Sequence, residues 1–254
     1  MFPYIDTSNW HAGPIAIHPF GILVALGIAT GFLIAHRRAR LWGIPRVRVD
    51  EFCLWLIVAG LAGGHLLRFF YMPHPIDVIR RNPWILIQVF NGIASFGSMI
   101  GGVAAAAVFF IRRRVERVER WKYLDAVGFG LPFGWMLGRL GCALVHDHPG
   151  LRTTNWLGVR YPGGARFDLG LLEFLYLGVL GLLFIALART PKIPGFFFGL
   201  FFLLYGPFRL ALDQLHVDPP RYLGITLDQY SGIAALLGGA AFLFMIFREQ
   251  RKPL

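Results

Sequence analysis

Cysteine and lysine are both scarce in this chain of 254 residues. The two cysteines, Cys53 and Cys142, lie in apolar segments, and no Cys-x-x-Cys pair occurs. This excludes a disulfide framework and a cysteine-based structural zinc site. The three lysines are Lys122, Lys192 and Lys252, and none of them falls in an apolar segment. The sequence therefore offers no lysine for a Schiff base, such as the one that holds retinal, inside a helical bundle.

Charged residues are also few. They make up 15% of the chain and hydrophobic residues 56%, against roughly 25% and 45–50% in ordinary soluble domains. The alternating segments of a membrane β-barrel are absent, whereas apolar runs of about 20 residues, the length of a membrane-spanning helix, recur throughout. The sequence predicts an all-α, polytopic integral membrane protein that forms a single membrane domain over residues 1–254. Its seven transmembrane helices are predicted at Ile15–Ala35, Phe52–Met72, Asn91–Ile111, Tyr123–Val145, Asp168–Ala188, Gly195–Leu215 and Tyr222–Phe247.

The basic residues indicate how the chain is oriented. The net charge is +11, but the Lys and Arg residues cluster at the ends of the predicted spans, as orientation signals do, so nucleic acid is not an expected partner. Sixteen of them lie in the loops and tail of one side and six on the other, and the first thirteen residues have none. We therefore expect an N-terminus outside, a C-terminus in the cytoplasm and no cleavable signal peptide.

Three arginines, Arg68, Arg139 and Arg209, lie inside predicted spans. A charged side chain at mid-bilayer costs roughly 3 kcal/mol or more, so each arginine requires an ion-pair partner, water or a ligand. Arginine suits a phosphate because its planar fork donates two parallel hydrogen bonds and keeps its charge. A purely structural ion pair remains the alternative for each of them. The acidic residues at a comparable depth or near the outer ends are Asp125, Glu173 and Asp213, with Asp147 and Asp168 at the border.

Spacing predicts which of these side chains share a helix face. Tyr205, Arg209 and Asp213 recur every four residues and form one stripe that faces a single neighbour. His65 and Arg68 are one turn apart on the second span. We expect these groups to converge near the outer leaflet. Asp125, near the cytoplasmic start of its span, is instead expected to be a structural partner.

A polar segment, GRLGCALVHDHPG at residues 138–150, ends the fourth predicted span. His146, Asp147 and His148 are residue types that bind metals, but two histidines at this spacing with no third ligand in view make zinc the weaker interpretation, and no metal is predicted. A histidine beside a carboxylate more naturally supplies a general base, because imidazole titrates near neutrality. His146 lies two turns after Arg139 and shares its face if the helix continues that far.

Four segments of the chain are, in order, NGIASFGSMIGG, GRLGCALVHDHPG, ARFDLGLLEF and LLYGPFRLALD. They resemble, in the same order, the motifs of the prolipoprotein diacylglyceryl transferases. GRLGCALVHDHPG resembles the family's signature segment, which starts with Gly-Arg-x-Gly and ends in an acidic residue and a glycine. NGIASFGSMIGG resembles the family's Ser-x-His-Gly-Gly segment and ARFDLGLLEF its Arg-His-Pro-x-x-x-x-Glu segment. LLYGPFRLALD resembles the Tyr-Gly-x-x-Arg-x-x-x-Glu segment. The resemblance covers nearly the whole chain and includes the seven-span topology with the N-terminus outside.

This resemblance implies a reaction at the outer leaflet of the bacterial inner membrane. The family transfers the diacylglyceryl group of phosphatidylglycerol to the cysteine thiol of a prolipoprotein signal peptide, which releases glycerol 1-phosphate and needs no cofactor. The arginines would hold the lipid phosphate while a base takes the thiol proton. Catalytic roles are expected for Arg139, Glu173 and Arg209, and substrate binding for Gly141, Gly150, Arg166, Tyr205 and Asp213, the last standing for the family's glutamate. Arg68 is expected to bind substrate because it is an arginine inside a predicted span.

The chain departs from the family at several polar positions. The histidine of the Ser-x-His-Gly-Gly segment is assigned to Phe96, and the asparagine after Gly-Arg-x-Gly to Cys142. The histidine of the Arg-His-Pro segment corresponds to Phe167, and Phe20 stands for a tyrosine of the first span. The chain is therefore identified as a divergent member of the family.

Two histidines are candidates to replace the lost base. We expect His146 or His148 to take the thiol proton and Asp147 to orient that histidine. Two alternatives stay open. The chain could be a paralogue that binds phospholipid through the same arginines but uses another acceptor, or a non-catalytic membrane protein that binds lipid.

Overall fold

The computed structural model describes residues 1–7, 11–12, 15–16, 19–72, 74–87, 93–190 and 193–250. Seven helices in this part of the chain are long and apolar enough to cross a membrane, as predicted. A 3-10 turn at Arg68–Tyr71 extends the second of them, and another lies at Pro83–Leu86. The helices are α1 (Pro19–Leu41), α2 (Arg46–Leu67), α3 (Pro75–Arg81), α4 (Ser95–Arg112), α5 (Arg117–Val145), α6 (Leu169–Leu187), α7 (Phe196–Asp213) and α8 (Leu227–Gln250).

The helices extend further into charged sequence than the predicted spans. α1 continues past Ala35 to Leu41, and α5 begins at Arg117 rather than Tyr123. Hydropathy marks where a helix leaves apolar surroundings, whereas the helical backbone continues while long basic side chains carry their charges to the polar boundary. The predicted start of the third span, Asn91, lies outside the described residues.

The extension of α1 places Arg38 inside the bundle, although its sequence position suggested a cytoplasmic loop. Arg38 is 9% exposed, and its Nε donates to Asp125 Oδ2 on α5 at 2.9 Å. The same carboxylate accepts hydrogen bonds from Trp42 Nε1 at 2.9 Å and from the Phe197 backbone nitrogen at 3.1 Å. The expectation that Asp125 is a structural partner is confirmed, and hydropathy had misplaced the arginine that it binds.

Glycines allow close packing between neighbouring helices. α1 packs along α5, α2 against α4, and α7 against α8. α2 and α4 meet at Gly63 and Gly97, where a Cβ on either residue would overlap the backbone of the other. α7 and α8 also meet closely at Gly206 and Gly232, where a Cβ on Gly206 would overlap the α8 backbone and one on Gly232 would overlap the Leu210 side chain. Such contacts are typical of membrane helices, because apolar lipid leaves tight van der Waals packing as the main source of attraction between them.

A small β-sheet lies at one end of the bundle, which we call the sheet end. Its strands β1 (Phe2–Pro3), β4 (Pro149–Arg152), β5 (Val159–Tyr161) and β6 (Gly164–Asp168) have the order β1-β5-β6-β4. β1 runs parallel to β5, and the other pairs are antiparallel. Strands of two to five residues are too short to show a periodic hydrophobic pattern, so hydropathy did not predict this sheet. Two hairpins are formed by β2 (His11–Ala12) with β3 (Ile15–Ala16) and by β7 (Arg221–Tyr222) with β8 (Ile225–Thr226).

Candidate active site

A cavity of about 1470 Å³ runs along the bundle between α1, α2, α4, α5, α7 and α8. Apolar side chains such as Phe32, Leu56 and Phe110 line most of its length. Sites for drug-sized ligands measure roughly 300–1,000 Å³, so this cavity has room for a larger amphipathic ligand. Its polar end, at the sheet end of the bundle, is lined by Arg68, Arg139, Asp147, His148, Arg209, His216 and Asp228.

A buried carboxylate holds together the two arginines at the polar end. Glu173 on α6 is 1% exposed. It pairs with Arg139 Nε on α5 at 2.9 Å and with Arg209 Nη1 on α7 at 3.0 Å. The Tyr205 hydroxyl donates to the same carboxylate at 2.7 Å. Two of the three arginines predicted inside the spans, Arg139 and Arg209, therefore meet here from separate helices.

Local structure explains why Glu173 reaches both arginines. Tyr205 and Arg209 are four residues apart on α7, so both side chains approach α6 from one face. α6 begins directly after Asp168, whose side chain accepts a hydrogen bond from the Leu171 backbone nitrogen at 2.9 Å and caps the helix. This start point places Glu173 in the second turn of α6, level with the polar end of the cavity.

Further hydrogen bonds connect this centre to the remaining helices. Arg139 Nη2 donates to Ser95 Oγ at the start of α4, at 2.8 Å. Arg209 Nη2 lies 2.8 Å from Asp228 Oδ1 at the start of α8. The Tyr71 hydroxyl, from the 3-10 turn after α2, donates to the same Asp228 oxygen at 3.2 Å. Every one of these side chains therefore has its position fixed by at least one other helix.

Both arginines retain hydrogen-bond donors for a ligand. A guanidinium carries five N–H groups. On Arg209, the contacts with Glu173 and Asp228 use two of these N–H groups. On Arg139, the contacts with Glu173 and Ser95 use two, and a 3.9 Å contact from Nη1 to Cys142 Sγ uses a third. Both side chains line the cavity. The site can therefore bind an anion such as a phosphate between two guanidinium groups whose orientation is already fixed.

His146 lies outside the cavity lining and has a structural environment. α5 ends one residue earlier, and His146 adopts a left-handed backbone with φ of 52°, so the helix does not continue far enough for His146 to share a face with Arg139. Its Nδ1 lies 2.7 Å from Asp168 Oδ2, which also accepts a hydrogen bond from the Tyr161 hydroxyl at 2.7 Å. The His146 ring stacks on Tyr4. His146 therefore ties the N-terminal segment and the sheet to the start of α6.

His148 and Asp147, in contrast, line the cavity. His148 Nδ1 and Asp147 Oδ1 form a hydrogen bond, and Cys142 hydrogen-bonds to the same imidazole. Burial disfavours the charged ring, but these hydrogen bonds outweigh it and raise the pKa of His148 to about 9. His148 is therefore a cation at neutral pH, so it does not fit the role of proton acceptor that the sequence suggested.

Arg68 and His65 share a face, as predicted, and both contact the segment before α4. Arg68 is 4% exposed and lines the cavity, and its Nη2 donates to the Ile85 carbonyl at 3.1 Å. His65 Nε2 lies 2.7 Å from the Leu86 carbonyl oxygen. His65 is therefore a structural residue that holds the second 3-10 turn, whereas Arg68 also reaches the cavity.

Tyr205 and Asp213 are expected to bind substrate but do not line the cavity. The same holds for Gly141, Gly150 and Arg166. Arg166 Nη1 donates to the Gly150 carbonyl at 3.1 Å. A Cβ at Gly150 would lie 2.7 Å from the Leu215 carbonyl oxygen, and one at Gly141 would lie 3.2 Å from Phe20 Cα on α1. The geometry assigns Gly141, Gly150 and Arg166 to packing around the site rather than to ligand contact.

The assignment of the family's histidine position to Phe96 is off by one residue. Counted from Ser95, the third position of Ser-x-His-Gly-Gly is Gly97, and Phe96 fills the variable position. Gly97 packs on Gly63 and Leu67, and a Cβ at residue 97 would overlap both. With this packing of α4 on α2, the chain has no space for a histidine side chain at that position.

Sequence reasoning missed His216 and Asp228, which line the polar end together. The expected stripe on α7 divides here, because Arg209 faces Glu173 whereas Asp213 faces His216. His216 Nδ1 lies 3.5 Å from Asp213 Oδ1. The spacing of three between Asp213 and His216 at the end of a helix was the available signal.

Two side-chain clusters combine residue types that bind metals. In each cluster the candidate ligand atoms lie within 4.8 Å of one another. In the first cluster, which contains Cys142, the hydrogen bond between His148 and Asp147 accounts for the arrangement. In the second, which contains His216, the Arg209 guanidinium already neutralises Asp228. We therefore interpret both as polar and ionic networks. The clusters are Cys142 with Asp147 and His148, and Asp213 with His216 and Asp228.

Comparison with known proteins connects this geometry to one family. The family model for prolipoprotein diacylglyceryl transferase matches residues 8–245. Three relatives are each described as a phosphatidylglycerol–prolipoprotein diacylglyceryl transferase. The one from Rhizobium leguminosarum bv. trifolii is 29% identical over 242 alignment positions, covering 89% of this chain and 84% of the relative.

The other two relatives are similar over an even larger share of the chain. The protein from Symbiobacterium thermophilum is 27% identical over 252 positions, covering 94% of this chain and 92% of the relative. The protein from Francisella tularensis subsp. holarctica is 27% identical over 267 positions, covering 99% and 97%. The family match includes residues of all seven membrane helices and of the polar end of the cavity, and the chain belongs to the prolipoprotein diacylglyceryl transferase family.

Proposed function

We propose that this protein transfers a diacylglyceryl group from phosphatidylglycerol to the lipobox cysteine thiol of a prolipoprotein. The observation that carries the proposal is the pair of guanidinium groups, Arg139 and Arg209, fixed by Glu173 at the head of an otherwise largely apolar cavity. This arrangement matches a substrate with one anionic phosphate and two long acyl chains. The names of the three relatives state the same donor and acceptor.

The proposed reaction takes place at the outer leaflet of the bacterial inner membrane. The sheet end carries the N-terminal strand β1, and the opposite end carries the loops rich in Lys and Arg. The positive-inside rule assigns that basic end, with the C-terminus, to the cytoplasm. The polar end of the cavity then opens on the side where an exported prolipoprotein presents its cysteine, and the chain acts as one multi-pass domain.

The residues at the polar end suit the chemistry of the transfer. The bond between a glyceryl carbon and a phosphate oxygen breaks while sulfur forms a new bond to that carbon, so negative charge grows on the phosphate. Arg139 and Arg209 are placed to stabilise this charge, and protonated His148 adds a third positive group to the cavity wall. Arg68 contacts the glycerol part of the headgroup. Glu173, which does not line the cavity, holds Arg139 and Arg209 in position.

Complementation tests this function. In a strain depleted of its own diacylglyceryl transferase, this chain is expected to restore growth and the mobility shift of a model lipoprotein. Arg139→Ala should fail, because one of the two phosphate-binding groups is lost. Exposed Arg160 on β5 provides the matched control, and Arg160→Ala should complement like the parent chain.

A negative result would favour a second candidate function. The family's polar residues are replaced by Gly97 and Cys142, which favours a paralogue with another acceptor or a non-catalytic lipid-binding protein. If the parent chain is present in the membrane and the lipoprotein stays unmodified, the proposed transfer is wrong. Phosphatidylglycerol that still protects the protein against thermal unfolding would then support the second candidate.

The charge on His148 predicts how transfer depends on pH. If the imidazolium helps to hold phosphate, the active form is present below the raised pKa of about 9 and is lost as pH increases through it. Asp147→Asn removes the carboxylate that raises this pKa, so the alkaline decline in kcat/KM should move to lower pH. His148→Gln should remove this decline and lower kcat/KM about tenfold at neutral pH.

A second histidine controls for general effects of substitution. His74 is exposed and does not line the cavity, so His74→Ala should leave both the rate and its pH profile unchanged. An alkaline decline that stays at the same pH in Asp147→Asn would contradict the assignment to His148.

A further inference from the structure

His216 occupies the wall of the cavity beside the phosphate-binding arginines. It follows the end of α7 and lines the polar end together with Arg209 and Asp228. Its side chain is 20% exposed, and Nδ1 is a buried atom. Nε2 lies on the opposite edge of the ring and, unlike Nδ1, is not among the buried atoms without a partner in the described part of the chain.

The buried edge of the ring faces the Oδ1 oxygen of Asp213, which is buried without a hydrogen-bond partner among the described residues. Asp213 Oδ1 and His216 Nδ1 are both buried, and neither has a hydrogen-bond partner among the described residues. They lie 3.5 Å apart, slightly too far for a strong hydrogen bond. In enzymes without bound substrate, catalytic hydrogen bonds are often long and tighten when substrate binds. An Asp–His pair of this kind holds the imidazole with Nδ1 protonated and leaves Nε2 as a proton acceptor.

We propose that His216 is the general base that takes the proton from the acceptor thiol, and that Asp213 is its positioning residue. This inference rests on the proposed function and names a residue for a step of that reaction. Among the described residues that line the cavity, the histidines are His148 and His216. The position that holds a histidine in the family is Gly97 here and has no space for a side chain. His216 therefore supplies the base from the turn that follows α7.

The step balances as a substitution at carbon. The thiol proton passes to His216 Nε2, and the sulfur electron pair forms the carbon–sulfur bond. The electron pair of the broken carbon–oxygen bond stays on the phosphate oxygen, which leaves as glycerol 1-phosphate between Arg139 and Arg209. The proton on His216 then passes to solvent or to the departing phosphate, which restores the neutral ring.

The charges around His216 suit this role. Asp213 and Arg209 face it from α7, Asp228 from α8, and His148 from the segment after α5. Burial is the largest influence and lowers the pKa of His216, opposed by the charges of Asp228 and Asp213 and supported by those of Arg209 and His148. The ring is therefore neutral at pH 7 and able to accept a proton. The two carboxylates then stabilise the imidazolium that the step creates.

Single-turnover transfer from phosphatidylglycerol to a synthetic lipobox peptide tests the inference. His216→Ala is expected to lower the rate at least 100-fold, because a general base contributes about 10²–10⁴-fold. Added imidazole should restore part of the lost rate by entering the space left by the ring. Binding of phosphatidylglycerol should stay within about twofold, since Arg139 and Arg209 are unchanged. The matched control is His74→Ala, which should react like the parent chain.

Two further measurements separate a base from a structural residue. Asp213→Asn removes a charge that raises the pKa of His216, so the acidic limb of the pH profile should move to lower pH. If His216→Ala does not fold, His216→Asn retains a polar side chain of similar size and should lose that limb.

Each outcome decides one claim. If the parent chain is active and His216→Ala transfers the diacylglyceryl group at the same rate, the inference is wrong but the proposed function stands. The same conclusion follows if His216→Ala is stably folded and imidazole does not restore any of its lost transfer rate. An unmoved acidic limb in Asp213→Asn overturns the assignment of Asp213. A parent chain that transfers no diacylglyceryl group overturns the proposed function itself.

Discussion

Replacing Arg209 with alanine is expected to lower the kcat of diacylglyceryl transfer by about 10²–10³-fold, the usual effect of removing one fixed donor from a site of developing negative charge. Arg209 lies between Glu173 and Asp228 at 3.0 Å and 2.8 Å, so its guanidinium needs no rearrangement when charge grows on the phosphate. The loss should appear mainly in kcat, because this interaction strengthens as the carbon–oxygen bond breaks. Steady-state assays with purified protein in phosphatidylglycerol micelles measure it.

The fold should survive this substitution. Glu173 keeps Arg139 at 2.9 Å and the Tyr205 hydroxyl at 2.7 Å, and Asp228 keeps the hydrogen bond from Tyr71. Neither Glu173 nor Asp228 is therefore left without a hydrogen-bond partner. Arg209→Lys is the matched control, since it retains the positive charge but not the two-pronged geometry, and we expect it to fall between alanine and arginine. A kcat for Arg209→Ala within tenfold of the parent value would show that phosphate is held elsewhere.

The sequence was sufficient to predict the arginine centre because helix geometry relates residues four positions apart. Tyr205 and Arg209 share a face in any α-helix, and an arginine inside a membrane requires a partner at similar depth. Those two constraints, with the resemblance to the family, led to Glu173 and Arg139. The same reasoning failed for Asp213, because α7 ends at that residue and its side chain turns to His216.

Residues beyond the helix ends were not predictable in this way. Whether His146 or His148 reaches the cavity depends on a single left-handed residue at the end of α5, and no periodic pattern encodes that turn. The sheet next to His146 forms from strands of two to five residues, one of which lies at the N-terminus. Such contacts depend on tertiary packing, so hydropathy and spacing carry no information about them.

Hydropathy also misjudged the position of Arg38, whose charge is paired inside the bundle. A window of hydropathy assigns Arg38 to a loop because it stands beside Arg37 and Arg40. The ion pair with Asp125 offsets the cost of taking the Arg38 guanidinium out of water, so this arginine can lie inside the bundle. Asp125 accepts hydrogen bonds from Arg38, Trp42 and the Phe197 backbone. This cluster connects α1, α5 and α7 far from the polar end of the cavity.

Asp125→Ala is therefore expected to destabilise the protein by about 3–5 kcal/mol, because it leaves the Arg38 guanidinium buried without its partner. Its effect on transfer per folded molecule should be small, since 14 residues of α5, about 21 Å, separate position 125 from Arg139. Thermal unfolding in detergent measures the change, with a thiol-reactive dye that reports exposure of the two buried cysteines, Cys53 and Cys142.

A double variant isolates the cause of that loss. Replacing both partners with apolar residues, in Arg38→Met with Asp125→Leu, removes the unpaired charge and should recover most of the lost stability. Some deficit should remain, because Trp42 Nε1 and the Phe197 backbone nitrogen also lose their acceptor. If the double variant unfolds at the same temperature as Asp125→Ala, the hydrogen bonds to Trp42 and Phe197, rather than the ion pair, hold these three helices together.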